Sequence, residues 1–150
     1  MIKDEINNQL KTAMLNKDKD QTSTLRLILA AIKDREIIDR AKNKTADDGA
    51  IIDVLSKMVK QRMESADIYK KNERLELAKK EEHEISVIRN FMPSQLSDEE
   101  VKTIIDKIIQ DNNASSIKDM GVVMAELKKK YSGQLDFGAA GKIIKELLSN

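Results

Sequence analysis

The residues that do chemistry in proteins are scarce here, and their spacing sets most of the limits. The one histidine, His83, cannot supply the ligand set of a zinc site or a di-iron bundle. Glu81, Glu82 and Glu84 crowd a single segment, and paired carboxylates can serve acid–base catalysis. Lys79, Lys80 and Arg89 stand close by, which favours a solvated face or structural ion pairs instead. With no cysteine there is no thiol nucleophile, thiolate metal site or disulfide. Gly-x-Ser-x-Gly, the phosphate loop and Gly-x-Gly-x-x-Gly are all missing, and the five glycines never cluster. The residues therefore assign no catalytic group, no metal and no cofactor.

The cations are more informative. Arg26 lies at the edge of an apolar stripe, Arg62 within one, and Arg74 at the start of a helix. Arginines so placed usually pair with carboxylates such as Glu81 or Glu84 and fix helix register, the alternative being a binding site. Lys128, Lys129 and Lys130 close a helix just before Tyr131-Ser132-Gly133. Lysines at that end suit the helix dipole, and a phosphate contact with Tyr131 beside it is the competing reading. Aromatic residues make up only 3% of the chain, too few for a surface that stacks single-stranded bases. Gly121 and Gly141 fall inside predicted helices, where glycine costs about 1 kcal/mol relative to alanine. Close helix approach or access for a partner's backbone would offset that cost, and the flanking Met120 and Met124 read as core.

The elements that hold these groups all read as helices. The first covers roughly 2–16 and the second 19–42, with Leu25, Ile28, Leu29 and Ile32 on one face. Thr45 and Asp48 resemble a capping pair for a third helix to about Lys71, with Ile52, Leu55, Val59, Met63 and Ala66 inward. A fourth, from about 73 to 91, carries Leu75, Ala78, Ile85, Ile88 and Met92, and the short link near Asn72 suggests a long antiparallel hairpin with the third or a kinked pair. Pro93 stops it, since a proline ring disfavours a helical residue before it. Ser97 with Glu100, Ser116 with Asp119, and Asp136 then open three shorter helices, with Gly133 between the last two. The expected fold is all-α: an N-terminal domain of four helices over 1–92 and a compact three-helix C-terminal domain over 93–150.

The charge balance, 27 basic against 26 acidic side chains, argues against a dedicated nucleic-acid domain. Residues 93–150 hold 8 of the basic and 9 of the acidic groups, so any polyanion site must be a local patch. No run of about 18 apolar residues exists to span a bilayer. The opening MIKDEINNQLK lacks the features of a secretory signal, and together with the missing cysteines this points to the cytoplasm.

Several fragments, in order, carry a family resemblance. The second helix reads Leu25-Arg26-Leu27-Ile28-Leu29-Ala30-Ala31-Ile32-Lys33, followed by Arg35-Glu36-Ile37. Lys60-Gln61-Arg62, Glu64-Ser65 and Tyr69 follow, then Arg74, Leu77, Lys80-Glu81, Glu84-Ile85 and Val87. Phe91-Met92-Pro93-Ser94-Gln95-Leu96-Ser97 looks like an aromatic-Leu-Pro-x-Gln-Leu-Ser junction. Ala114-Ser115-Ser116, Asp119-Met120-Gly121, Met124 and the stretch from Gly133 to Asp136 complete the pattern. In this order the chain resembles the GatB/YqeY family along essentially its whole length.

That resemblance implies a free-standing relative of the tail of the B subunit of the glutamine-dependent tRNA amidotransferase. The family label is carbon–nitrogen ligase with glutamine as amide donor, but the amidase and kinase domains that do this chemistry are absent from this sequence. What the resemblance carries over is partner contact: tRNA or a tRNA-handling complex, through Lys118, Gly121, Lys128, Lys129, Lys130, Tyr131 and Gly133. Val122 stands where many relatives have lysine, Gln134-Leu135 where a basic residue and alanine are common, and Asn113 in place of a glycine. Two missing cations imply weak phosphate binding. The alternative function is a helical protein–protein adaptor without RNA contact.

Overall fold

The computed structural model describes residues 1–149, which form seven α-helices and one 3-10 turn, with no strand among them. Contacts divide the chain into two compact units, Met1–Met92 and Pro93–Asn150, each with its own apolar core.

The first unit holds α1 (Ile2–Leu15), α2 (Lys19–Ala41), α3 (Asp48–Lys71) and α4 (Leu75–Arg89). Ile6, Leu25, Ile28, Ile32, Leu55 and Ile88 are fully buried at its centre. The helices follow the apolar periodicity closely, with two shifts. Met63 and Leu75, expected inward, are exposed, and Ile51 and Met58 take core places on α3 instead. The cap of α3 is Asp47, whose carboxylate accepts from Ala50 N at 2.9 Å, rather than Thr45. A carboxylate one residue before the helix reaches the free N–H groups better than a hydroxyl three residues before it. Along α3 and α4 the cross-helix partners run in opposite order, Met63 with Arg89 and Lys70 with Glu82, so the hairpin is antiparallel.

The second unit holds α5 (Asp98–Asp111), the turn Ile117–Asp119, α6 (Met120–Tyr131) and α7 (Phe137–Leu148). Ser97 and Glu100 form the expected reciprocal capping box on α5, and Asp136 caps α7 by accepting from Gly138 N. Ile105, Val123, Leu127 and Ile144 are fully buried, and Tyr131 packs partly buried against them. An added Cβ on Gly141 would meet Met124 Cε at 3.4 Å and Met120 Cε at 3.6 Å, so this glycine does mark close approach of α6 and α7. Gly121 does not: nothing lies within 4 Å of its missing Cβ.

Four helices end on a left-handed residue that is not glycine: Lys17, Asn43, Glu73 and Asn113. Each end closes in the same way. At α5, Ala114 N donates to Ile109 O and Asn113 N to Gln110 O, the double bond of a Schellman turn. Asn113 thus occupies the one conformation that explains a glycine in its place elsewhere, and asparagine tolerates it better than most side chains.

Candidate nucleic-acid interface

Where the second unit was expected to meet phosphate, its two ends differ. Ahead of α6 several backbone donors are occupied. Asp119 N donates to Ser116 O and Met120 N to Ile117 O, while Ser115 N and Ser116 N both donate to the Asp119 carboxylate, at 2.9 and 3.2 Å. Those bonds, first from Ser115 and then from Ser116, hold the Asp119 carboxyl below its usual range. The Asp119 carboxylate thus takes the N–H groups of Ser115 and Ser116, just ahead of the turn that carries Lys118. Lys118 itself is exposed, as are Gly121 and Val122.

The other end keeps its cations. Lys128, Lys129 and Lys130 are all exposed on the last turn of α6. Lys128 Nζ lies 5.8 Å from the centre of the Phe137 ring, within cation–π range. Lys130 is engaged: it donates to Glu126 Oε1 at 2.9 Å, and Asn112 donates to the other oxygen of the same carboxylate. The Lys130 hydrogen bond, then that of Asn112, draws the Glu126 carboxyl down, and Glu126 in turn raises Lys130. Lys128 and Lys129 form no ion pair among the described residues.

Gly133 and Tyr131 have structural work that accounts for their types. Gly133 is buried at φ 78°, a conformation that favours glycine, and its carbonyl accepts from Gln95 Nε2 at 2.6 Å. Leu96 N donates to Gln134 O beside it, so the segment before α5 is tied to the α6–α7 link.

Of the proposed structural arginines, one forms the pair foreseen. Arg62 Nε donates to Glu84 Oε2 at 2.9 Å, with side chains only 15% and 13% exposed, and Arg62 Nη1 reaches Met58 O. Arg26 and Arg74 are exposed and form no ion pair among the described residues, nor does the half-buried Glu81. Arg74 stands ahead of α4 rather than on its inner face, so its side chain extends into solvent. A second enclosed pair went unforeseen: Asp39, 7% exposed, accepts from Arg35 Nε at 3.0 Å on both oxygens. The signal for it was an i, i+4 Arg–Asp spacing along a helix.

Among the described residues no group of three His, Cys, Asp or Glu side chains is placed to hold a metal, and no helix is long and apolar enough to cross a membrane. His83 is exposed, away from either core.

The fold and its surface define an all-helical protein of two units whose charged groups either brace helices or face solvent. A family model described as Yqey-like protein matches residues 3–148, and the chain belongs to that family. Its relatives include "Altered inheritance of mitochondria protein 41, mitochondrial" from Lachancea thermotolerans, 35% identical over 73% of this chain and 61% of that protein. The same-named proteins of Vanderwaltozyma polyspora and Eremothecium gossypii are 38% and 45% identical, over 68% and 55% of this chain and 55% and 44% of theirs. The chain thus spans roughly half the length of the curated relatives it matches. Their names place them in mitochondria, which overturns the cytoplasmic assignment made from the sequence. Missing cysteines and missing spans do not by themselves tell one compartment from another.

Proposed function

We propose that the protein is a non-catalytic binding protein whose second unit contacts tRNA, alone or within a tRNA-handling complex. The supporting observation is the end of α6, where Lys128 and Lys129 stand exposed and form no ion pair among the described residues, with Lys118 exposed at the other end of the same helical run. Side-chain cations, rather than the backbone at the start of α6, supply the contact. Two or three phosphate contacts give weak, strongly salt-dependent binding, with a dissociation constant of roughly micromolar or weaker at physiological salt.

Replacing Lys128, Lys129 and Lys130 together with glutamate should abolish tRNA retention while the helical circular dichroism persists. The milder K128Q/K129Q protein leaves the Lys130–Glu126 pair intact and should flatten the plot of log affinity against log salt by about 0.9 per lost contact. Equal retention by wild type and triple variant, or no retention by either at low salt, would sink this reading in favour of a protein–protein adaptor.

A further inference from the structure

The outward side of α2 plays no part in the tRNA reading, yet its charges are regularly spaced. Lys19, Arg26, Lys33 and Arg40 recur every seven residues, all exposed and none in an ion pair among the described residues. At 1.5 Å per residue they form a rail about 32 Å long with a cation roughly every 10 Å. Of the nearby acids, Glu36 accepts from Lys3 and Asp39 from Arg35, while Asp20 and Asp34 stay exposed and pair with none of the four cations among the described residues.

Beside the rail runs a second apolar stripe, opposite the one that feeds the core. Leu27, Ile37 and Ile38 are 46%, 56% and 52% exposed, and Ala30 and Ala41 are exposed with them. Asp20, Ser23, Leu27, Ala30, Asp34, Ile37 and Ala41 alternate in steps of three and four, the seam of a helix that packs lengthwise on another. Each cation of the rail precedes its seam residue by one, the flanking position that chooses partners by charge in such packings.

We propose that this face of α2 docks an amphipathic helix of a partner protein whose apolar seam is flanked by acidic side chains. Charge decides against the other occupants. A second copy laid antiparallel would set cation against cation, and a parallel copy would offer Thr24, Ala31 and Ile38 where the lysines and arginines need acids. A nucleic acid or an anionic lipid surface would press phosphates onto the exposed leucine and isoleucines and onto Asp20 and Asp34, which share the seam. Small residues at Ser23, Ala30 and Ala41 let a partner helix come close, and Asp34 in the seam fixes its register by asking for a polar or basic residue opposite.

The probe is a synthetic helix of three heptads with leucine along its seam, one lysine in that seam to meet Asp34, and glutamate on both flanks, titrated against the whole chain. Binding should weaken at least tenfold in R26E/K33E/R40E and in L27S/I37S, and be unchanged in K128E/K129E/K130E. The last variant separates this proposal from the tRNA reading. No binding by the wild-type chain would overturn it, as would equal binding of a probe with lysine flanks. Capture of an RNA duplex or of phosphatidylserine vesicles through the same three cations, without capture of the acidic helix, would assign the face to a polyanion instead. Circular dichroism of each variant checks that α2 still folds.

Discussion

The pair α3–α4 and the pair α6–α7 are both antiparallel, but their charges do opposite jobs. Between α3 and α4 the Arg62–Glu84 bond is almost enclosed, and Arg62 also takes the Met58 carbonyl. Between α6 and α7 the approach is set by Gly141 against two methionine ends, and the lysines of α6 stay in water. Charge withdrawn from solvent fixes how two helices lie together; charge left in solvent is free to meet a partner. Both arrangements come from the same residue types, so exposure rather than composition separates them.

The sharpest way to break the contrast is R62A, which leaves Glu84 enclosed and unpaired. It should cost about 3 kcal/mol in urea unfolding, because removing one member of an enclosed pair strands the other's charge. We further propose that the two units open independently. Limited proteolysis of R62A should then digest residues 1–92 and spare the rest, with first cuts near residues 90–98. A loss below about 1 kcal/mol, or a single indivisible core, would count against the distinction.

A smaller effect is expected at Gly133. Alanine there must adopt a left-handed backbone while its carbonyl still serves Gln95, at a cost of about 1–2 kcal/mol. Amide exchange should quicken in the second unit alone.

The smallest effect is with pH. The Asp119 and Glu126 carboxyls are held below their ordinary values of 3.8 and 4.5. Such groups bind protons more tightly once unfolded, so their stabilisation is full at neutral pH. It drains away as pH falls below about 5 through the ordinary and then the folded values. The melting temperature of the second unit should fall slightly over that range. E126Q should flatten the fall, and an unchanged slope would show that this exposed carboxylate contributes nothing.

Much of this was legible in the sequence where one residue type does one local job. Ser97 with Glu100, Asp136 and the proline stop at Pro93 declare helix boundaries through short-range bonding. Arg62 within an apolar stripe declared an enclosed pair. What stayed hidden depends on neighbours distant in sequence. The choice of Glu84 over Glu81 follows from which face of α4 meets α3. Leu75 and Met63 fit the helical period, yet stay more than half exposed. The stops after Asn16 and Asn72 were legible, but not that the left-handed residue closing each would be Lys17 and Glu73 rather than the asparagine itself. At the proposed RNA site, Lys130 and Lys128 look alike in the sequence; only Glu126, one turn back, separates them.

The partly buried Tyr131 of the second core has one counterpart, Tyr69 on α3, and the chain has no tryptophan. Each unit therefore carries its own single fluorophore. Excited near 280 nm, a Y69F protein emits only from the second unit and a Y131F protein only from the first. Two such proteins can report, without an added label, which half of the molecule yields first.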